Sequence, residues 1–167
     1  MTVIEKPAGS AFNSPLETGI RSLFILSSNT DLTYDLQQLL AFDHFVVHTG
    51  DFEGAPISLH PSDPSRNGEL VIRRELVEKG LNLMESKRLV RRVASPKGLL
   101  FQAEEFASIM VENFSSPYLK ALKERSSWVV ENYAAYGDDL FSRVFNQAFD
   151  RWASEFQFTQ ISSLGQK

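Results

Sequence analysis

The residues with the most chemical potential are His44, His48, Asp51 and His60. His44 and His48 are four apart, so on a helix both imidazoles share one face, and Asp51 would follow a turn later if the helix continued. Imidazoles with a carboxylate form a donor set for zinc or another first-row divalent ion, with His60 in the loop beyond as a third imidazole. The spacing also argues against that use. Gly50 is placed to end the helix and move Asp51 aside, and the connection to His60 is long. A rigid loop knitted by histidine and aspartate hydrogen bonds is the stronger expectation, with no metal and no cofactor. The chain has no cysteine, and neither GxxxxGK[ST], GxGxxG nor GxSxG occurs. These residues give no reason to expect an enzyme.

The second concentration of chemistry is electrostatic. From Arg66 to Lys97 nine basic residues stand against four acidic ones, a local charge of +5 in a chain whose net charge is -4. A basic element on a weakly acidic protein can offer positive potential to phosphates or to an acidic protein surface. Lys87, Arg88, Arg91, Arg92 and Lys97 are the cations placed to make such contacts with DNA or a partner.

The elements that must position these groups follow from periodicity. Leu70, Val71, Leu76 and Val77 recur at helical spacing, as do Leu81, Leu83 and Met84 after Gly80. A glycine break there predicts two short helices at an angle, the kernel of a helix-turn-helix. The period then changes: residues 89–94 and 99–102 flank Ser95-Pro96-Lys97-Gly98, a hairpin signal. The expected fold is mainly α: a winged helix-turn-helix core, helices plus a β-hairpin wing, with additional C-terminal helices.

Upstream, residues 1–12 read as a flexible tail, and Ser14-Pro15-Leu16-Glu17 opens a first helix with a capping box, running to about Leu26. Ser28-Asn29-Thr30-Asp31 introduces a longer helix through His48, whose apolar face of Leu32, Leu36, Leu39, Leu40, Val46 and Val47 marks it as central. Asp43 falls among those apolar positions and requires a cationic partner, Arg73 or Arg74. The loop TGDFEGAPISLHPSDPSRNG is rich in proline and glycine, yet Phe52, Ile57 and Leu59 predict that it packs down as a lid or docking surface. Beyond the hairpin, Glu104–Phe114 forms a helix; Ser115-Ser116-Pro117 ends it and opens another through Tyr118, Leu122, Arg125, Val129 and Tyr133. Residues 13–136 are thus read as the helical winged-helix domain and 137–167 as a C-terminal aromatic helix and tail. In the latter Phe141, Phe145, Phe149, Trp152 and Phe156 make a stripe at helical spacing. That stripe either packs on the preceding helix or offers aromatic anchors to a partner.

At 167 residues, with 43% hydrophobic and 23% charged, the chain can bury one proper core. The start MTVIEKPAGS lacks both a basic region leading into an apolar stretch and an apolar span, so no membrane association is expected. With no cysteine, a cytoplasmic setting is the simplest expectation.

Three phrases, LLAFDHFVVHTGDFEGAPISLHP, GELVIRRELVEKGLNLMESKRLV and FSSPYLKALKERSSWVVENY, resemble the type 2 middle component of bacterial ABC-three-component systems over roughly Pro15 to Tyr133. The resemblance implies a non-catalytic adaptor that accompanies an SMC- or Rad50-like ABC ATPase and a large effector subunit, nuclease activity being one such effector's work. It further implies a Lamassu-like defence setting, with DNA reached through the complex. Carried over by position, His48, Gly50, Asp51, Gly54, Ser58, His60 and Pro61 would form a marked docking loop, and Arg73, Gly80 and Leu81 part of the winged-helix phrase. The alternative from the residues themselves is a DNA-binding regulator. It would read a major groove with Asn82, Glu85, Lys87 and Arg88, while Arg91, Arg92 and Lys97 touch phosphates.

Overall fold

A computed structural model describes residues 14–60 and 69–133 of the chain, in which five α-helices and one β-hairpin follow one another. They are α1 (Pro15–Ser28), α2 (Leu36–Val47), α3 (Glu69–Ser86), β1 (Val90–Ser95), β2 (Gly98–Ala103), α4 (Glu105–Glu112) and α5 (Pro117–Tyr133). The protein is mainly helical with a two-stranded antiparallel wing, as the sequence predicts. The expected tail, residues 1–12, and the aromatic stripe of Phe141, Phe145, Phe149, Trp152 and Phe156 lie outside the described residues.

Helix α1 starts where its capping residues dictate: Ser14 Oγ accepts from the Glu17 amide at 3.2 Å, and Pro15 occupies the first turn. Four consecutive residues, Leu23 to Leu26, are buried, so α1 is covered nearly all round and touches α2, α3, α4, α5 and β2. Helix α2, expected to be central, is buried at Leu39 and from Ala41 to Val47, so α1 shares the centre with it. Helix α2 also begins later than predicted. Asp35, not the Asn29–Asp31 cluster, is its N-cap, in a reciprocal capping box with Gln38 (2.7 and 2.9 Å). The preceding Tyr34 is instead drawn into a β-bridge with Phe101, which widens the sheet by one residue pair.

Gly80 does not break a helix. Helix α3 runs through it without interruption, so the two short helices predicted at this point are one of eighteen residues. The glycine serves close approach instead. A Cβ at Gly80 would stand 2.6 Å from the Gly19 nitrogen and 2.9 Å from the Pro15 carbonyl oxygen, and a Cβ at Gly19 2.8 Å from the Gly80 carbonyl oxygen. Two glycines facing each other let the backbones of α1 and α3 meet where any side chain would hold them apart. Val77, Leu81 and Met84 then reach the core beside Leu23 and Phe24.

The end of α3 turns the chain into the wing. Arg88 adopts φ of +58°, its amide donating to Glu85 O at 2.9 Å and that of Leu89 to Met84 O at 3.0 Å. This is the paired C-terminal cap that usually recruits glycine at the left-handed position, closed here by buried Met84 and Leu89. In the hairpin Val90 faces Ala103 and Ser95 faces Gly98, with Pro96 and Lys97 at the tip. Gly98, at φ of +120°, supplies conformational freedom that other residues lack.

Replacing Gly80 by alanine tests the helix crossing. Alanine raises helix propensity by about 1 kcal/mol, but the new methyl meets immovable backbone, and overpacking costs about 1–3 kcal/mol or more. Chemical denaturation of Gly80→Ala should show a net loss of about 1–2 kcal/mol; a stabilised variant would mean that the helices do not approach this closely.

Candidate functional site

A buried carboxylate lies at the centre of the structure. Asp43 on α2 is wholly buried; Arg21 of α1 donates from Nε to Oδ1 at 2.7 Å and from its terminal nitrogen to Oδ2 at 3.3 Å, and Arg73 of α3 donates to Oδ2 at 2.7 Å. Arg73 was one of the two partners predicted. Arg74, the other, is exposed and faces Glu78 at 3.5 Å. Arg21 carried no signal in the sequence, because a cation within an apolar helix reads as a surface residue. Burial opposes ionisation of Asp43 most strongly, but the two guanidiniums outweigh it and hold the carboxyl below its ordinary range. Burial likewise weighs against the charge on Arg21, and Asp43 reverses the balance so that its pKa is raised. Asp43 is thus held ionised and Arg21 held charged, which leaves neither poised for acid or base work.

The triad extends to the loop. Arg21 hydrogen-bonds the hydroxyl of Tyr118 on α5, whose pKa is raised, chiefly by burial, and Tyr118 in turn meets His60 Nε2 at 2.9 Å. His44 and His48 are buried, with ring centroids 4.5 Å apart, and His48 stands edge-on to His60 at 6.3 Å. The structure therefore brings the three histidines together beneath the loop, with His48 inside and not on its surface. Among the described residues, no group of three or more His, Asp or Glu side chains is arranged to hold a metal ion. The side chain of Asp51 lies outside what the structure describes.

The loop itself is ordered by backbone and hydroxyl contacts more than by carboxylates. Thr49 Oγ1 donates to Pro56 O at 2.7 Å, the Gly50 amide to Ser58 Oγ at 2.9 Å, the His60 amide to Val47 O at 3.0 Å, and Arg125 Nε to Ile57 O at 2.7 Å. Phe52 and Leu59 pack against the core, as predicted. Ile57 does not: it is 82% exposed, while Arg125 holds its carbonyl.

On the wing the predicted cations separate into distinct environments. Arg92 donates to Glu85 Oε2 at 2.7 Å and to Asn82 Oδ1, and lies over the Phe101 ring. Arg91 forks onto Gln102 Oε1 at 3.1 and 2.6 Å. Asn82 and Glu85, assigned to base reading in the regulator alternative, are thus engaged by the wing. Lys87 and Lys97 are exposed, and Arg88 lines a cleft of about 710 Å³ with Glu85, Val90, Arg91, Arg92, Glu104, Glu105, Phe106 and Ile109. Phe106 and Ile109, unremarked in the sequence, are 63% and 53% exposed. They lie three apart on α4, spacing that could have marked a second apolar face.

These features define a helical domain with a projecting hairpin, braced by a buried ion triad and carrying exposed apolar side chains on a tied-down loop and beside the wing. The family is shown by the sequence: residues 11–155 match the model of the ABC-three component (ABC-3C) system Middle Component 2, and the chain belongs to that family, as a component of a multi-subunit system. The match runs past Tyr133, where the recognised phrases end, into the aromatic segment. No curated protein and no solved structure matches the chain.

Removing the central carboxylate should be costly. Asp43→Asn leaves two buried guanidiniums without their anion and should destabilise the fold by about 3–5 kcal/mol, whereas Arg74→Ala, on the surface, should stay within about 0.5 kcal/mol. Since the folded pKa of Asp43 is depressed below the unfolded value of about 3.9, its contribution is complete above that value and fades as pH falls through the folded one. Acid titration of stability should therefore be steeper below about pH 4 for the wild type than for Asp43→Asn; equal slopes would contradict the assignment.

Proposed function

We propose that this chain is the non-catalytic adaptor of its ABC-three-component system, joining an SMC- or Rad50-like ABC ATPase subunit to a large effector subunit in bacterial antiviral defence. The observation that carries the reading is the exposure of large apolar side chains on two different elements of one braced core. One is the loop bearing Ile57, tied to α5 through Arg125; the other is the wing and α4 surface bearing Phe106 and Ile109. Protein interfaces draw much of their energy from apolar anchors of this kind. Two of them are what a subunit needs to hold two partners at once. Membership of a family defined as the middle component of a three-component system supports the same reading. Among the described residues no helix is long and apolar enough to cross a membrane.

The winged-helix regulator is less well supported. Two of its four base-reading candidates, Asn82 and Glu85, are held by Arg92 while Lys87 and Arg88 stay exposed, and glutamates are interleaved with the arginines along the cleft.

The adaptor reading is tested by omission. The system's three components should form one assembly by native mass spectrometry, and leaving out this chain should abolish association of the ATPase with the effector. An ATPase–effector complex that assembles equally well without it would sink the proposal. Within the assembly, Ile57→Asp should weaken retention of one partner about tenfold, while the melting temperature of the isolated chain stays unchanged.

A further inference from the structure

The two edges of the hairpin differ. Phe101 of β2 exchanges both backbone hydrogen bonds with Tyr34, at 2.8 and 3.1 Å, so that edge is occupied. Because Phe101 lies opposite Arg92, this is a non-hydrogen-bonded pair of the β1–β2 ladder, and the N–H and C=O of Arg92 must point away from β2 as well. The same alternation turns the backbone of Ala94 outward. Among the described residues β1 pairs with β2 alone, and Arg92 and Ala94 are exposed. An open strand edge is a template for another strand.

The cleft of about 710 Å³ borders this edge: Val90, Arg91 and Arg92 line it, and no residue of β2 does. Its opposite wall is α4, with exposed Phe106 and Ile109. Arg88 also lines the cleft, exposed, held at φ of +58° where glycine would be unstrained, and making no ion pair among the described residues. The cap that ends α3 accounts for the left-handed backbone of Arg88 but would be met with less strain by glycine, so the local structure does not require an arginine side chain on this cleft.

We propose that β1 accepts an extended segment of a protein partner as a third strand, with an apolar side chain of that segment seated on Phe106 and Ile109 and a carboxylate paired with Arg88. This rests on the adaptor reading and names the surface that holds one component. Charge selects the occupant. A nucleic acid would meet Glu85, Glu104 and Glu105 along the same cleft, whereas a peptide presents one carboxylate to Arg88 and backbone groups to the edge. A second copy pairing edge to edge would crowd Arg91 and Arg92 against their own counterparts, an arrangement that like charges on facing strands disfavour.

The test uses the full chain assembled with the other two components. Hydrogen exchange should slow at the Arg92 and Ala94 amides on assembly by at least about tenfold, because only a new strand engages outward-facing groups. Ala94→Pro removes an outward amide that the β1–β2 ladder does not use, so it should spare the free chain yet reduce partner retention about tenfold or more. Phe106→Asp should do the same. Arg88→Gly should weaken retention while raising the melting temperature of the free chain, a pair of effects that a purely structural arginine would not give. An assembly that forms with β1 amides as fast as in the free chain, or with all three variants undiminished, overturns this inference and leaves the adaptor standing. Failure of the wild-type chain to join the other components removes both. Protection of the same amides by duplex DNA alone, or by self-association of the isolated chain, assigns the edge to another occupant and also overturns it.

Discussion

The fold depends on one carboxylate that cannot be left alone. Asp43 is buried on α2, and the guanidiniums that keep it charged come from α1 and α3, so three helices must meet at one point with hydrogen-bonding geometry. Apolar contacts tolerate sliding and rotation, but charge-assisted hydrogen bonds do not, and a displaced helix would strand an ion in a medium that penalises it heavily. The glycine crossing of Gly19 and Gly80 belongs to the same constraint. Close contact of the α1 and α3 backbones lets side chains as short as aspartate and as long as arginine converge on one site.

The constraint reaches the surface through Tyr118 and His60, which link Arg21 to the loop, and through α3, whose C-terminus launches the wing. Both candidate interaction surfaces are therefore fixed relative to the buried triad. The histidines, which look like ligands in the sequence, serve this linkage: two are enclosed in the core and the third joins loop to helix. The loop owes its order to Thr49, Ser58 and Arg125, whose polar atoms hold the backbone of residues 50–58 against α2 and α5.

Much of this is legible in adjacent residues. Ser14-Pro15, Ser115-Ser116-Pro117 and Ser95-Pro96-Lys97-Gly98 act through local stereochemistry, so the helix starts and the hairpin stand where the sequence places them. Asp43 declared its need for a cation because it interrupts an apolar face. The errors have a common origin in contacts made with distant residues. Gly80 reads as a helix breaker by propensity and is a packing glycine by neighbourhood; the start of α2 moved because Tyr34 found a strand partner sixty-seven residues away.

The element types, the hairpin, the need for a buried ion pair and the family are written in adjacent residues or in short phrases of the chain, where local stereochemistry and residue order suffice. Packing in three dimensions sets which cation joins Arg73, that His44 and His48 lie inside, that Ile57, Phe106 and Ile109 remain outside, and that one edge of the wing is open among the described residues while Tyr34 closes the other. Those outcomes depend on which surfaces meet, and burial is a property of the assembled chain that no local pattern encodes.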